Sequence, residues 1–142
     1  FKKDVENNFM AFMTRLKNNP DRYFSVYWEK MESNLIDENW IKEKRLALGK
    51  KYFEGDFFRE EDVAVQDFKL KNKKTLKLSG RWQNEKYFIG GAFQTFAYFD
   101  EASKTAYLID NFVYFPPGTK LKALIELEII SRSFELKNVK SE

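Results

Sequence analysis

Chemistry in this chain has to be sought among carboxylates, lysines, hydroxyls and rings, because its 142 residues include no cysteine and no histidine. Disulfide frameworks, Cys/His zinc sites, cysteine nucleophiles and histidine acid–base chemistry are therefore excluded. Four acids sit where a glycan hydrolase could use them: Glu85, Asp100 and Glu101 between strand-like runs, and Asp110 inside one. Glycosidase chemistry needs two carboxylates across a cleft, roughly 5–9.5 Å apart. Turn acids ordinarily cap and solvate loops. Asp110, between Ile109 and Asn111 in an apolar run, must find a partner or reach water. An ion pair with Arg or Lys, or a backbone hydrogen bond, is the ordinary outcome for such an acid.

Gly90-Gly91 interrupts an aromatic run, YFIGGAFQTFAYF. Two glycines there admit a bulge, or the close approach of another backbone or a ligand, and the bulge is the default. They are not a phosphate loop, since neither GxGxxG nor a Walker-type pattern occurs and strand residues follow them. Lys69, Lys71, Lys73, Lys74 and Lys77 fall within nine residues free of acid. Such a run could track a single-stranded nucleic acid or an anionic membrane surface. Lys69, Lys71, Lys73 and Lys77 share one parity, however, and a solvated face that protects a strand edge explains them as well. Trp82, Phe93, Phe96, Tyr98, Tyr107, Phe112 and Tyr114 could line a sugar or lipid pocket, although core packing accounts for most rings in a small domain. The candidate ligand-binding residues are thus Trp82, Gly90, Gly91, Asp110 and Phe112. No catalytic set, metal ligand or cofactor motif is found, and no cofactor is expected.

The elements that position these residues follow from periodicity. Val5, Phe9, Phe12, Met13 and Leu16 recur at helical spacing and predict an amphipathic helix over residues 1–18, stopped by Asn18-Asn19-Pro20-Asp21. Tyr23 to Glu29 reads as a buried strand. Asp37 is a good N-cap for a second helix, which carries Ile41, Leu48 and Tyr52 and ends near Glu54-Gly55 with Gly55 left-handed. Gly49 within it counts as a penalty of about 1 kcal/mol relative to Ala. Four strands then follow, over residues 63–71, 75–83, 87–99 and 105–115, joined by turns of hairpin length. Leu76, Leu78 and Trp82 share one face of their strand, while the last two strands are apolar on both faces and read as central. Pro116-Pro117-Gly118 ends the sheet, and a final helix over residues 119–134 carries a broad apolar face of Leu121, Leu124, Ile125, Leu127, Ile130 and Phe134. The expected fold is a single α+β domain over residues 1–142, an antiparallel meander of four to five strands packed against two to three helices.

Composition agrees with a ring-filled domain: 43% of residues are hydrophobic and 18% aromatic, with fifteen Phe, so a disordered tail is excluded. A formal net charge of +3 is well short of the dense basic surface of a nucleic-acid binder. No apolar run approaches the length of a membrane span. The chain opens at Phe1 without a charged leader region, which reads as a mature or trimmed chain.

Gly80-Arg81-Trp82, Ile89-Gly90-Gly91-Ala92-Phe93, Asp110-Asn111-Phe112-Val113-Tyr114-Phe115-Pro116 and Leu127-Glu128-Ile129-Ile130-Ser131 together resemble a family of lipoproteins catalogued as a domain of unknown function and found mainly in Bacteroidetes. The similarity is strongest from Thr75 to Phe134, and the chain departs from the family pattern at Ala92, where the pattern has Pro. The resemblance implies secretion behind a lipidated cysteine, residence in the bacterial envelope, and a chain longer than this one. It brings no activity and no catalytic residues. The expected function is therefore non-enzymatic binding of a protein partner or small ligand, with a missing N-terminal region as another cover for the sheet. Membrane association would run only through the absent anchor. A carboxylate-dependent glycan hydrolase is the alternative, and a single-stranded nucleic-acid module the less favoured one.

Overall fold

The computed structural model describes residues 2–15, 17–114 and 121–134, with residues 2–6 as backbone alone. Its elements are β1 (Lys2–Glu6), β2 (Phe9–Thr14), β3 (Asp21–Lys30), α1 (Glu38–Tyr52), a 3-10 turn (Glu60–Asp62), β4 (Val63–Leu70), β5 (Lys73–Asn84), β6 (Ile89–Asp100), β7 (Thr105–Tyr114) and α2 (Leu121–Arg132). All seven strands form one antiparallel sheet in the order β1-β2-β3-β7-β6-β5-β4. This corrects the expected meander of four to five strands. The predicted β4–β7 meander is present, but β7 also pairs with β3, which carries β2 and β1 beyond it.

The difference lies at the N-terminus. Where a helix was expected, Asn7-Asn8 turn the chain and β1 pairs with β2 in register from Lys2↔Met13 to Glu6↔Phe9. Phe9 to Met13 is an unbroken apolar run, and such runs do not distinguish helix from strand by period alone. Tertiary context decides: β2 pairs with β3, and Phe9 enters the core against Ile41 and Leu48.

The sheet is covered on both faces. On one, α1 lies over Phe93 and Ala97 of β6 and Leu108 and Phe112 of β7. On the other, α2 packs Ala123 and Leu127 against Val113, and Phe134 joins Phe96, Tyr98 and Ile109. β6 and β7 are central and double-faced, as their sequence requires. Asp37 caps α1, its Oδ1 accepting from Trp40 N at 2.8 Å. At the other end Glu54 (φ 53) and Gly55 (φ 91) both enter the left-handed region. α2 buries a narrower face than its pattern promises, for Leu121, Ile125, Ile129 and Ile130 are all exposed. The predicted Pro116-Pro117-Gly118 stop lies outside the described residues.

Gly49 shows why local propensity misleads. A Cβ there would stand 2.1 Å from the carbonyl oxygen of Asp56 and 3.0 Å from Arg45 Nη1, because the chain after α1 folds back on the helix at this point. Gly49→Ala, which at an exposed helix position would stabilise by about 1 kcal/mol, should instead destabilise by about 1–3 kcal/mol. Urea unfolding reads the sign directly.

Candidate functional site

At the C-terminal end of α1, a pocket of about 260 Å³ is lined by Tyr23 of β3, Tyr52 and Phe53, Glu54 and Asp56 of the following loop, Trp82 and Asn84 of β5, Tyr87 and Ile89, and Phe112 of β7. Each wall has a physical origin. Phe112 and Trp82 are almost wholly buried and form the floor, meeting edge to face at 5.4 Å between centroids. Tyr23 stacks on Phe112 at 4.2 Å, and Phe53 meets it edge-on at 4.8 Å. Such offset and edge contacts hold rings in fixed positions. Tyr87, 47% exposed, stands at the rim.

Asn84 ties the two loops of the pocket together. Its Nδ2 donates to Asp56 Oδ1 at 2.7 Å and to the Glu54 carbonyl at 3.2 Å, while its Oδ1 accepts from Tyr87 N at 3.1 Å. A two-way backbone exchange between Phe57 and Gln83 at 2.9 and 2.7 Å secures the same junction. Asp56 is only 6% exposed, and its Oδ2 takes no hydrogen bond from the described residues. Burial pushes the Asp56 carboxyl up to about 6; the Asn84 hydrogen bond and the charge of Arg45 oppose that rise, and the charges of Asp110 and Glu54 add to it.

Asp110 lies behind this pocket and is sealed from it. Arg45 Nε stands 2.8 Å from Asp110 Oδ1, with both side chains essentially inaccessible, and Thr95 Oγ1 donates to the same oxygen at 2.6 Å. The guanidinium is packed among the rings of Phe53, Phe93 and Phe112 at 5.8, 5.2 and 5.5 Å. Desolvation raises the Asp110 pKa, while Arg45 and Thr95 pull it back. The ion pair is the partner its apolar strand demanded.

Gly90 and Gly91 are not a bulge. Pairing runs without an extra residue through Trp82↔Gly91 and Gln83↔Gly90. The Trp82 indole instead reaches across to β7, donating Nε1–H to the Val113 carbonyl at 3.2 Å, and a Cβ on Gly91 would stand 2.8 Å from that nitrogen. The adjoining groove of about 510 Å³ is larger than the aromatic pocket, but Arg81 and Asp62 on its wall are already paired at 2.7 Å.

The other candidates disperse. Glu85 lies in the β5–β6 turn and Asp100 with Glu101 at the β6–β7 end. The twelve residues of β6 separate those ends by roughly 36 Å at strand rise, so these acids share no cleft. The lysines do not keep one parity through the hairpin, since the register pairs Lys69 with Lys74 and Leu70 with Lys73, setting Lys69 and Lys74 opposite in face to Lys73 and Lys77. Lys77 is paired with Glu128 at 3.4 Å. Among the described residues no three acids gather as metal ligands, and no helix is long and apolar enough to cross a membrane.

Of the sequence candidates, then, the pocket unites Trp82 and Phe112 and leaves out Gly90, Gly91 and Asp110. Asp56, Asn84, Tyr23, Tyr52, Phe53 and Tyr87 were missed. The one local signal was Tyr52-Phe53 preceding an acid-and-glycine helix end.

Comparison with known proteins agrees on the fold and is silent on activity. No curated protein matches the chain. Among solved structures, the crystal structure of PA94, a protein of unknown function from Pseudomonas aeruginosa described as a candidate regulator, is similar with a TM-score of 0.59 at 9% identity, over 95% of this chain and 88% of that one. At that identity the likeness is one of fold. The family model catalogued as a domain of unknown function, DUF4837, matches residues 1–133, and the chain belongs to that family.

Proposed function

We propose that this domain is a non-catalytic binding module that takes a small organic ligand in the aromatic pocket. The observation that carries the reading is the lining itself: six rings around one buried carboxyl, one oxygen of which has no partner among the described residues. Small-molecule sites are concave and apolar, with a few placed polar groups. Hydrolysis is disfavoured because the second acid of the pocket, Glu54, comes from the same loop as Asp56 and reaches out toward Lys86 at 3.9 Å, so no carboxylate of the lining faces Asp56 across the cleft. The bacterial envelope and a lipid anchor are the proposed setting, on the support of the resemblance alone.

A fragment screen followed by backbone and side-chain amide NMR tests the reading. Hits should perturb the Asn84 side-chain amide and the Trp82 indole, and Tyr87→Ala, a change at an exposed rim position, should weaken them tenfold or more. Hits that cluster on another surface, or no hit at millimolar fragment, would overturn it.

A further inference from the structure

Resting on that reading, we infer that the ligand carries an organic cation, an ammonium or quaternary ammonium group, seated against the pocket rings with Asp56 as its counter-charge. The reasoning is one of charge and faces. Among the described residues, the pocket lining includes two acids, Glu54 and Asp56, and no Lys or Arg. The nearest buried cation, Arg45, is matched by Asp110 at 2.8 Å. Lys86, 3.9 Å from Glu54, is exposed with it. Asp56 Oδ2 is thus left without a hydrogen bond or ion pair from the described residues. Aromatic rings attract cations, most where water is excluded. This lining already does so at its edge, where the ammonium groups of Lys51 and Lys86 stand 5.0 Å from the ring centres of Tyr52 and Tyr87, respectively. An anionic ligand would meet the Asp56 carboxylate, and a neutral one would leave its oxygen desolvated without return.

The same arrangement dictates a pH dependence. Asp56 is faced by Arg45 from α1, Asp110 from β7, Asn84 from β5, Tyr23 from β3 and Glu54 from its own loop. With its carboxyl near 6, the charged fraction falls about tenfold between pH 7 and pH 5. Cation affinity should fall by a similar factor over that interval, whereas affinity for a neutral analogue should not.

Three probes separate the possibilities: benzyltrimethylammonium, benzyl alcohol and benzoate, each titrated at pH 7 with the Trp82 indole and Asn84 amide signals as readout. The expected result is binding of the cation at least tenfold tighter than of the other two. Asp56→Asn, which keeps the shape of the side chain, should abolish that preference without weakening benzyl alcohol. If that variant does not fold, the pH 7 to pH 5 titration of the unaltered chain decides the same point. Equal or tighter binding of alcohol or benzoate at these signals would overturn the cation assignment and leave the binding pocket standing. No shift with any probe would remove both.

Discussion

Arg45→Met is expected to cost this domain about 3–5 kcal/mol of stability at pH 7, the range for breaking a buried ion pair by removing one partner. The pair is sealed, with Arg45 at 1% and Asp110 at 0% exposure. Methionine fills the space among Phe53, Phe93 and Phe112 but leaves Asp110 with Thr95 as its remaining partner. The carboxyl would then titrate well above its unfolded value. A raised folded pKa means that the native state holds the proton more tightly, so stability is lost as pH rises and recovered in part as pH falls toward the unfolded value near 3.8. The variant should therefore be more stable, relative to the parent, at pH 5 than at pH 7. Asp110 Oδ2 and Arg45 Nη2 are buried without hydrogen-bond partners even in the parent. Removing both charges, in Arg45→Met with Asp110→Asn, should for that reason restore most of the loss. Urea unfolding at the two pH values checks this, and a single-variant cost under about 1 kcal/mol would refute the account.

Gly91→Ala should be nearly as damaging, about 3 kcal/mol, or a fall in Tm of roughly 10 °C. A methyl group there would stand 2.0 Å from the Val113 carbonyl oxygen, which is backbone, as well as 2.8 Å from the Trp82 indole nitrogen. Either the central β6–β7 pair gives way or the indole leaves the carbonyl to which it donates. The penalty is steric and does not come from backbone conformation, so Ala should be worse tolerated here than Trp82→Phe, which loses the N–H donor and part of the buried indole, at about 1–2 kcal/mol. Thermal melts of the two variants decide the order. An unchanged Tm for Gly91→Ala would dispose of the indole crossing.

The pocket and the buried pair share one scaffold. Gly49 lets the loop of Asp56 close on α1, and Arg45 lies beside it, one helical turn earlier. Loop closure then sets Asp56 beside Asn84, so the depth of the pocket depends on a glycine that looks like a defect in a helix.

Much of the architecture was legible from order and alternation. The β4 to β7 strands, the capped α1 and the double-faced character of β6 and β7 are properties of neighbouring residues, and period-two patterning states them directly. The demand of Asp110 for a partner was legible too, because a carboxylate in an apolar strand has few alternatives. The identity of that partner was not, since Arg45 lies 65 positions away.

The N-terminal hairpin was misread because an unbroken apolar run is stable in whichever form a neighbour will pair with, and β3 supplies that neighbour only after the chain has folded. The lysines misled for a related reason: a two-residue hairpin at Lys71-Asn72 reverses parity, so sequence spacing does not survive the turn. By itself the sequence determined an α+β, ring-filled chain without thiol or imidazole chemistry, since composition and short-range period need no knowledge of partners. Tertiary structure alone decided the seven-strand order, the Arg45–Asp110 pair and the aromatic pocket around Asp56. Each depends on contacts between residues far apart in the chain, and their free energy appears only when the layers close on one another.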